Sequence, residues 1–272
     1  MQKRRLGQSH IYVSPLGLGT VKFGRNEAVK YPEAFSLPSM QTLDRLLNVA
    51  FDAGINLLDT APAYGESEAR IGKLLKNTRN QWIISSKVGE LFSNGQSFFN
   101  FSRAHLNQSI EDSLKRLKTD YIDIILVHSN GADIDLIEND EVFATLEQWK
   151  QSGKIRAYGM STKTIAGGLS TIRMADVAMI TYNIKYQNEQ VLIDFAKKQQ
   201  KGIFVKKAFA SGHLKKIEAY TKPTHVSHTF IKTTYSDALH FVLKEPGVTS
   251  VLIGTINEQH LLDNILCTRQ KF

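Results

Sequence analysis

Short apolar runs recur along the chain, separated by longer stretches with helical periodicity. The strand-like runs cover residues 16–20, 55–59, 82–86, 122–127, 155–160, 177–181, 203–207 and 251–254. They are rich in Ile, Val and Leu and lack a clean alternation of polar positions, as strands covered on both faces of a parallel sheet do. Between them, residues 42–52 place Leu43, Leu46, Leu47, Ala50 and Phe51 on one helical face, with Ser39 as the expected cap. Residues 103–117 repeat the pattern behind Ser102. Helices over 141–151 and 190–200 stop at Gly153 and Gly202, and one over 237–244 ends before Pro246. Eight strand–helix repeats predict right-handed crossovers and a closed (β/α)8 TIM barrel rather than an open doubly wound sheet. Residues 3–6 and 12–14 fall outside the repeat and read as a β-hairpin turning near Gly7, placed to close the bottom of the barrel.

Composition narrows this picture. The 272 residues, 42% apolar and 22% charged, suit one barrel domain spanning 1–272. No apolar run approaches the roughly 18 residues of a membrane span, and Met1-Gln2-Lys3-Arg4-Arg5 leads into no apolar leader segment. Cys267 is the only cysteine, so a disulfide scaffold is excluded. A soluble cytoplasmic protein is expected. The net charge of +8 raises nucleic acid as a partner. The basic residues form short clusters (3–5, 197–198, 206–207, 215–216) with no zinc-finger spacing or RNP-type aromatic motif. They read as a solvated surface, or as a field attracting an anionic cofactor or substrate, and neither nucleic acid nor membrane is expected as a partner.

Among motifs, Gly17-Leu18-Gly19 lacks the third glycine and the following helix of a dinucleotide fingerprint. No P-loop or serine nucleophile elbow is present. His225 and His228 have no nearby carboxylate or cysteine and read as exposed histidines, so no metal site is expected. Strand ends are more informative, because the C-terminal ends of barrel strands build the active site. Asp59, Lys87, His128 and Ser161 each follow a strand-like run, and Tyr64 lies just beyond Asp59. Any one of them has an innocent explanation as cap, surface or core residue; an acid, an amine, an imidazole and a phenol at one mouth point to chemistry.

The segment Gly54-Ile-Asn-Leu-Leu-Asp-Thr-Ala-Pro-Ala-Tyr-Gly-Glu-Ser-Glu68 closely resembles the aldo-keto reductases. So do Ser86-Lys-Val-Gly89, Tyr121-Ile-Asp-Ile-Ile-Leu-Val-His128, Gly159-Met-Ser161, Ala208-Phe-Ala-Ser-Gly-His-Leu214 and the stretch from Ile253 to Asn264. The resemblance is collinear over nearly the whole chain. It implies reduction of a small carbonyl compound by hydride from a nicotinamide, with Tyr64 as general acid. Lys87 is then expected to lower the phenol pKa from its usual ~10, Asp59 to hold Lys87 charged, and His128 to orient the carbonyl.

The same resemblance implies a cofactor set. Ser161 and Thr162 meet the nicotinamide carboxamide, with Thr162 where the family usually has Asn and Met179 where it has Gln. Lys206 stands in place of a stacking aromatic residue. Ser211, Gly212 and Leu214 fall on the pyrophosphate loop, and Gly254, Thr255, Gln259 or His260, and Asn264 on the adenosine segment. NADPH is the expected cofactor and NADH the alternative, because Gly254 and His260 stand where many relatives carry Lys or Arg for the 2′-phosphate. Loops 23–38, 90–101 and 129–139 are left to form the substrate pocket. With Phe92, Phe98, Phe99 and Phe101 in the second, and few residues after Asn264, sugars or small aromatic carbonyls are candidate substrates. A different class of reading is a cofactor-binding regulatory or redox-sensing protein resembling potassium-channel β subunits. The sequence does not fix the oligomeric state.

Overall fold

The computed structural model describes residues 1–216 and 234–269. The barrel strands are β1 (Leu16–Gly19), β2 (Leu57–Asp59), β3 (Ile83–Val88), β4 (Ile122–His128), β5 (Ile155–Ser161), β6 (Val177–Thr181), β7 (Gly202–Lys206) and β8 (Ser250–Ile253). Each pairs in parallel with its sequence neighbour, and β8 pairs with β1, so the sheet closes into the expected (β/α)8 barrel. The run expected at 203–207 is shifted by one residue, so Lys206 rather than Lys207 ends β7. Strand β3 also extends past Ser86 to include Lys87 and Val88.

Strand pleating explains how the barrel can be both apolar inside and chemically active at one end. Successive inward positions are two residues apart. Lower in the barrel they are Leu57, Ile124, Leu126, Ala157, Val177, Met179, Phe204 and Leu252, which form one buried cluster. Continuing up the same columns gives Asp59, His128, Ser161, Thr181 and Lys206, while Ser85 and Lys87 continue from Ile83. The outward faces pack against the helices in a second, larger cluster. That double burial is why the strands showed no polar alternation.

The hairpin Arg4–Arg5 and Tyr12–Val13 closes the bottom. Leu6, Ile11 and Val13 join the inner cluster at full or nearly full burial, a stabilisation of about 1.5–3 kcal/mol for each side chain removed from water. Arg4 donates to the carbonyls of Val248 and Leu243 at 2.7 and 3.2 Å, so part of the first basic cluster serves the fold.

The expected helices form, two of them with the expected caps, but the one expected to stop at Gly202 ends at Gln200, which is left-handed, and Gly202 opens β7. Ser39 accepts from Thr42 N, and Ser102 from His105 N. Helix Asp140–Gln151 is capped by Asn139, and Tyr235–Leu243 starts with a Thr234–Asp237 capping box. Sequence periodicity passed over five further helices, the single turn Val21–Gly24 and the longer Ser67–Leu74, Asp133–Glu138, Ile165–Met174 and Glu258–Arg269. The segment containing His225 and His228 lies outside the described residues. No helix among the described residues is long and apolar enough to cross a membrane, and no cluster of residues among them could hold a metal ion.

Candidate functional site

Asp59, Lys87 and His128 meet at the upper end of the barrel because they occupy inward positions on the adjacent strands β2, β3 and β4. Lys87 is 1% exposed and Asp59 4%. The Lys87 ammonium donates to both Asp59 carboxylate oxygens and to the Thr60 carbonyl, each at 2.8 Å. Asp59 also accepts from Ser85 Oγ at 3.1 Å. Burying one charge alone would be costly, and the pair with its additional hydrogen bonds offsets that cost.

Tyr64 is delivered by the 3-10 turn Pro62–Tyr64 that follows β2. The turn ends at Gly65, whose φ of 59° is left-handed and where a Cβ would collide with the Gly24 carbonyl. Glycine is therefore needed both for the conformation and for the close backbone approach. The Tyr64 ring lies edge-on to His128, centroids 6.2 Å apart, with Lys87 Nζ 4.9 Å from its centre. Burial pushes the Tyr64 phenol well above its ordinary value, Asp59 and Glu90 push it the same way, and Arg25 opposes them. This is opposite in direction to the expected lowering by Lys87. The physical reason is burial first, which penalises the phenolate, with the Asp59 and Glu90 carboxylates adding to it.

The other half of the mouth carries the residues expected to meet a cofactor. Ser161 pairs in register with His128 across β4 and β5, and Ser161 and Thr162 are both buried. Lys206, inward at the end of β7, donates to Ser161 Oγ at 2.8 Å and to the Thr162 carbonyl at 2.9 Å. Burial, helped by Lys207, pushes its amine down to about 7. Thr162 Oγ1 is buried without a hydrogen-bond partner, a polar atom suited to a bound group. Met179 lies beside Ser161 in register.

Beyond β7 the chain turns sharply, with Lys207, Ala210, Ser211 and Gly212 all at positive φ. Such backbones gather N–H groups into anion-binding concavities. Leu214 belongs to the same segment, Ala210–Lys216. Burial lowers the Lys207 amine and its neighbours Lys30 and Lys163 lower it further, against the opposing pull of Glu189, so three amines share this rim with one carboxylate. A Cβ on Gly254 would lie 3.0 Å from Tyr31 Oη, and one on Gly212 3.1 Å from Pro32 Cδ. The loop after β1 thus lies over both glycines.

At β8, Thr255 and Asn264 are buried. Thr255 Oγ1 accepts from Asn257 N at 3.1 Å, Gln259 donates to Asp263 at 2.9 Å, and His260 is exposed.

Residues 15–270 match the family model described as the aldo/keto reductase family. The chain belongs to that family. An uncharacterized oxidoreductase of Bacillus subtilis, YqkF, is 26% identical, the alignment covering 97% of this chain and 90% of the relative. The NADH-specific methylglyoxal reductase of Escherichia coli is 34% identical over 58% of this chain and 51% of its own length. Among solved structures, a Pseudomonas aeruginosa protein assigned as an aldo-keto reductase is 45% identical, with a TM-score of 0.85 over 98% of this chain and 94% of that one. The holo form of a Bacillus halodurans aldo-keto reductase is 25% identical, with a TM-score of 0.82 over 100% and 92%. The protein is an oxidoreductase that uses a nicotinamide cofactor and acts on small carbonyl compounds.

For an aldo-keto reductase, the mouth contains charged residues that the sequence reading passed over. Glu90 Oε2 lies 2.6 Å from His128 Nδ1. Burial alone would raise the Glu90 carboxyl, but His128, Ser97 and Arg25 hold it down at about 2. Glu90 opens a small hairpin, Glu90–Ser93 with Gln96–Phe99. Its turn residues Asn94 and Gly95 both have positive φ, and an Asn-Gly pair between short runs is the sequence signal that marks such a turn. Of its aromatic residues, Phe98 is exposed, Phe99 and Phe101 stack at 6.1 Å, and Phe92 lies under the Arg25 guanidinium at 3.3 Å.

Two buried acids brace the site from behind. Glu68 accepts from Ser86 Oγ, from Ser113 Oγ and from Arg116 Nε, at 2.5, 3.2 and 2.7 Å. Asp133 accepts from Ser129, from the Lys163 and Thr164 amides, and from Thr164 Oγ1. That ties the loop after β4 to the loop after β5, immediately beyond Thr162.

Proposed function

We propose that the upper end of the barrel reduces an aldehyde or ketone to the alcohol, with Tyr64 as the proton donor and NADPH as the preferred reductant. The observation carrying this reading is the buried Lys87–Asp59 pair, whose ammonium lies 4.9 Å from the centre of the Tyr64 ring. A reduced nicotinamide, when bound, would supply the hydride; Tyr64 gives its proton to the carbonyl oxygen, so that the carbonyl becomes an alcohol. A phenol holds its proton at neutral pH in any case, and the raised pKa means that proton release needs the phenolate to be stabilised as it forms. As the proton leaves, Lys87 faces the growing negative charge on the phenolate, and Asp59 keeps Lys87 in place. His128 orients the carbonyl oxygen from the other side.

Ser161, Thr162 and Lys206 surround the proposed nicotinamide position, and the unpartnered Thr162 hydroxyl supports that assignment. Ser211, Gly212 and Leu214 would hold the pyrophosphate, and Gly254, Thr255, Gln259 or His260, and Asn264 the adenosine end. The cationic rim of Lys30, Lys163 and Lys207 favours an anionic dinucleotide and, by its charge, NADPH over NADH. The Escherichia coli relative is named as NADH-specific, which makes the cofactor comparison informative.

Small aldehydes, sugars or small aromatic carbonyls are the proposed substrates, and methylglyoxal is a rational first probe. Titrating the purified protein with NADPH and NADH while following its intrinsic fluorescence tests the cofactor assignment. Tighter binding of NADPH is expected; equal or tighter NADH binding overturns that preference. Cofactor binding without reduction of any carbonyl would favour a redox-sensing role.

A further inference from the structure

We propose that Glu90 is a positioning residue for the reaction: it holds the Nδ1 side of His128, leaving Nε2 as the nitrogen available to the carbonyl. The inference rests on the proposed role of His128. It is carried by the 2.6 Å approach of Glu90 Oε2 to Nδ1 and by the way each partner is held. His128 is fixed at the end of β4, in register with Ser161. Glu90 begins the hairpin after β3, and its other oxygen accepts from Ser97 Oγ at 2.6 Å. One carboxylate oxygen therefore accepts from Ser97 while the other lies against Nδ1, and the Glu90 side chain is 13% exposed. Nδ1 is closed off from solvent although the His128 side chain keeps 20% of its surface open. Glu90 raises the His128 pKa through this short polar contact and through its charge.

Arg25 links this pair to the proton donor. Its guanidinium stacks on Phe92, inside the Glu90 hairpin, and donates to the Ala63 carbonyl at 3.0 Å, one residue before Tyr64. It also donates to the Glu27 and Ala28 carbonyls, tying the loop after β1 to the same point. Arg25 therefore ties the Glu90 hairpin to the turn that carries Tyr64.

The chemical consequence follows from the two ring nitrogens. A carboxylate beside Nδ1 favours a proton there. With Nδ1 protonated, a neutral imidazole has a bare Nε2 that only accepts hydrogen bonds; Nε2 donates to a carbonyl oxygen only in the imidazolium. Glu90 stabilises the imidazolium. The other groups facing His128 work against it or are neutral: burial and the ammonium groups of Lys87, on β3, and Lys206, on β7, lower its pKa, and the Tyr64 phenol is protonated. The balance leaves His128 below its ordinary value, with Glu90 as the group that keeps the protonated form accessible.

The test compares wild type, Glu90→Gln and Glu90→Asp by histidine ring NMR across pH, with His128→Asn to assign the signal, and by the pH profile of carbonyl reduction. Gln keeps the shape and loses the charge. It is expected to move the His128 titration to lower pH and to lower kcat roughly tenfold above neutral pH while leaving KM nearly unchanged. Asp, which keeps the charge on a shorter arm, is expected to recover part of both. If Glu90→Gln does not fold, Ser97→Ala, which frees the second carboxylate oxygen, is expected to shift the titration in the same direction. An unchanged His128 titration in folded Glu90→Gln, or in Ser97→Ala where that variant has to serve, overturns the proposal. A wild-type protein that reduces no carbonyl but shows the shifted titration would instead remove the reductase reading and leave the Glu90–His128 coupling standing.

Discussion

Lys206 introduces a titrating amine where the nicotinamide ring is proposed to lie. Its pKa of about 7 means that it gains charge as pH falls through neutrality. A charged amine repels the positive ring of the oxidised cofactor and not the neutral ring of the reduced one. The preference for reduced over oxidised cofactor is therefore expected to be larger below about pH 7 than above it, by roughly tenfold or about 1.4 kcal/mol. Lys206→Met should flatten this dependence; equilibrium titrations with both redox forms at two pH values check it. Lys87→Met is expected to lower kcat by about 10²- to 10⁴-fold while cofactor affinity is retained, which single-turnover kinetics can separate from binding. At this scale Asp59, Lys87 and His128 were legible in the sequence because each sits where a strand ends. The hold of Lys206 on Ser161 was not, because the two residues are 45 positions apart and only barrel closure brings them together.

Whole elements carry the precision of the site. Helices Ser67–Leu74 and Arg103–Leu117 are clasped to β3 by Glu68, which is fully buried and bound by Ser86, Ser113 and Arg116. Removing the carboxylate in Glu68→Ala leaves Arg116 without this partner and is expected to cost about 3 kcal/mol, read from urea denaturation. A change below the error of that measurement would show that the clasp is not a stabilising feature. The bottom hairpin predicts a different separation of effects. Leu6→Ala should cost about 2–5 kcal/mol by opening a cavity in the inner cluster, with kcat of the folded enzyme nearly unchanged, because Leu6 lies at the far end of the barrel. The two hairpins also differ in how plainly they read. The first stood out because it broke the strand–helix repeat. The second, containing Glu90, was read as a loop although Asn94-Gly95 marks its turn, because its strands are short and all of Gln96–Phe99 is exposed. Without a buried face they lack the apolar pattern that reveals a strand.

Across the whole molecule, one barrel separates stability from chemistry along each inward column. Apolar residues fill the lower levels, and Asp59, Lys87, His128, Ser161 and Lys206 occupy the top. The closed barrel was readable because its local alternation of strands and helices agrees with the global fold. Half of the proposed site was readable for the same reason. The phenol's raised pKa was not, because it depends on burial and on carboxylates from different elements rather than on Lys87 alone. The basic residues behind the net charge of +8 include Lys30, Lys163 and Lys207, which lie near one another on the face proposed to receive the dinucleotide phosphates.

The most direct test of the central claim is carbonyl-dependent oxidation of NADPH by wild type and by Tyr64→Phe, with methylglyoxal and a small aromatic aldehyde as substrates. Cofactor binding is measured on both proteins. Wild type should turn over at least one substrate, and Tyr64→Phe should lose about 10²-fold or more in kcat while binding NADPH nearly as well. Undiminished turnover by Tyr64→Phe would contradict the assignment of Tyr64 as the proton donor and the mechanism built on it.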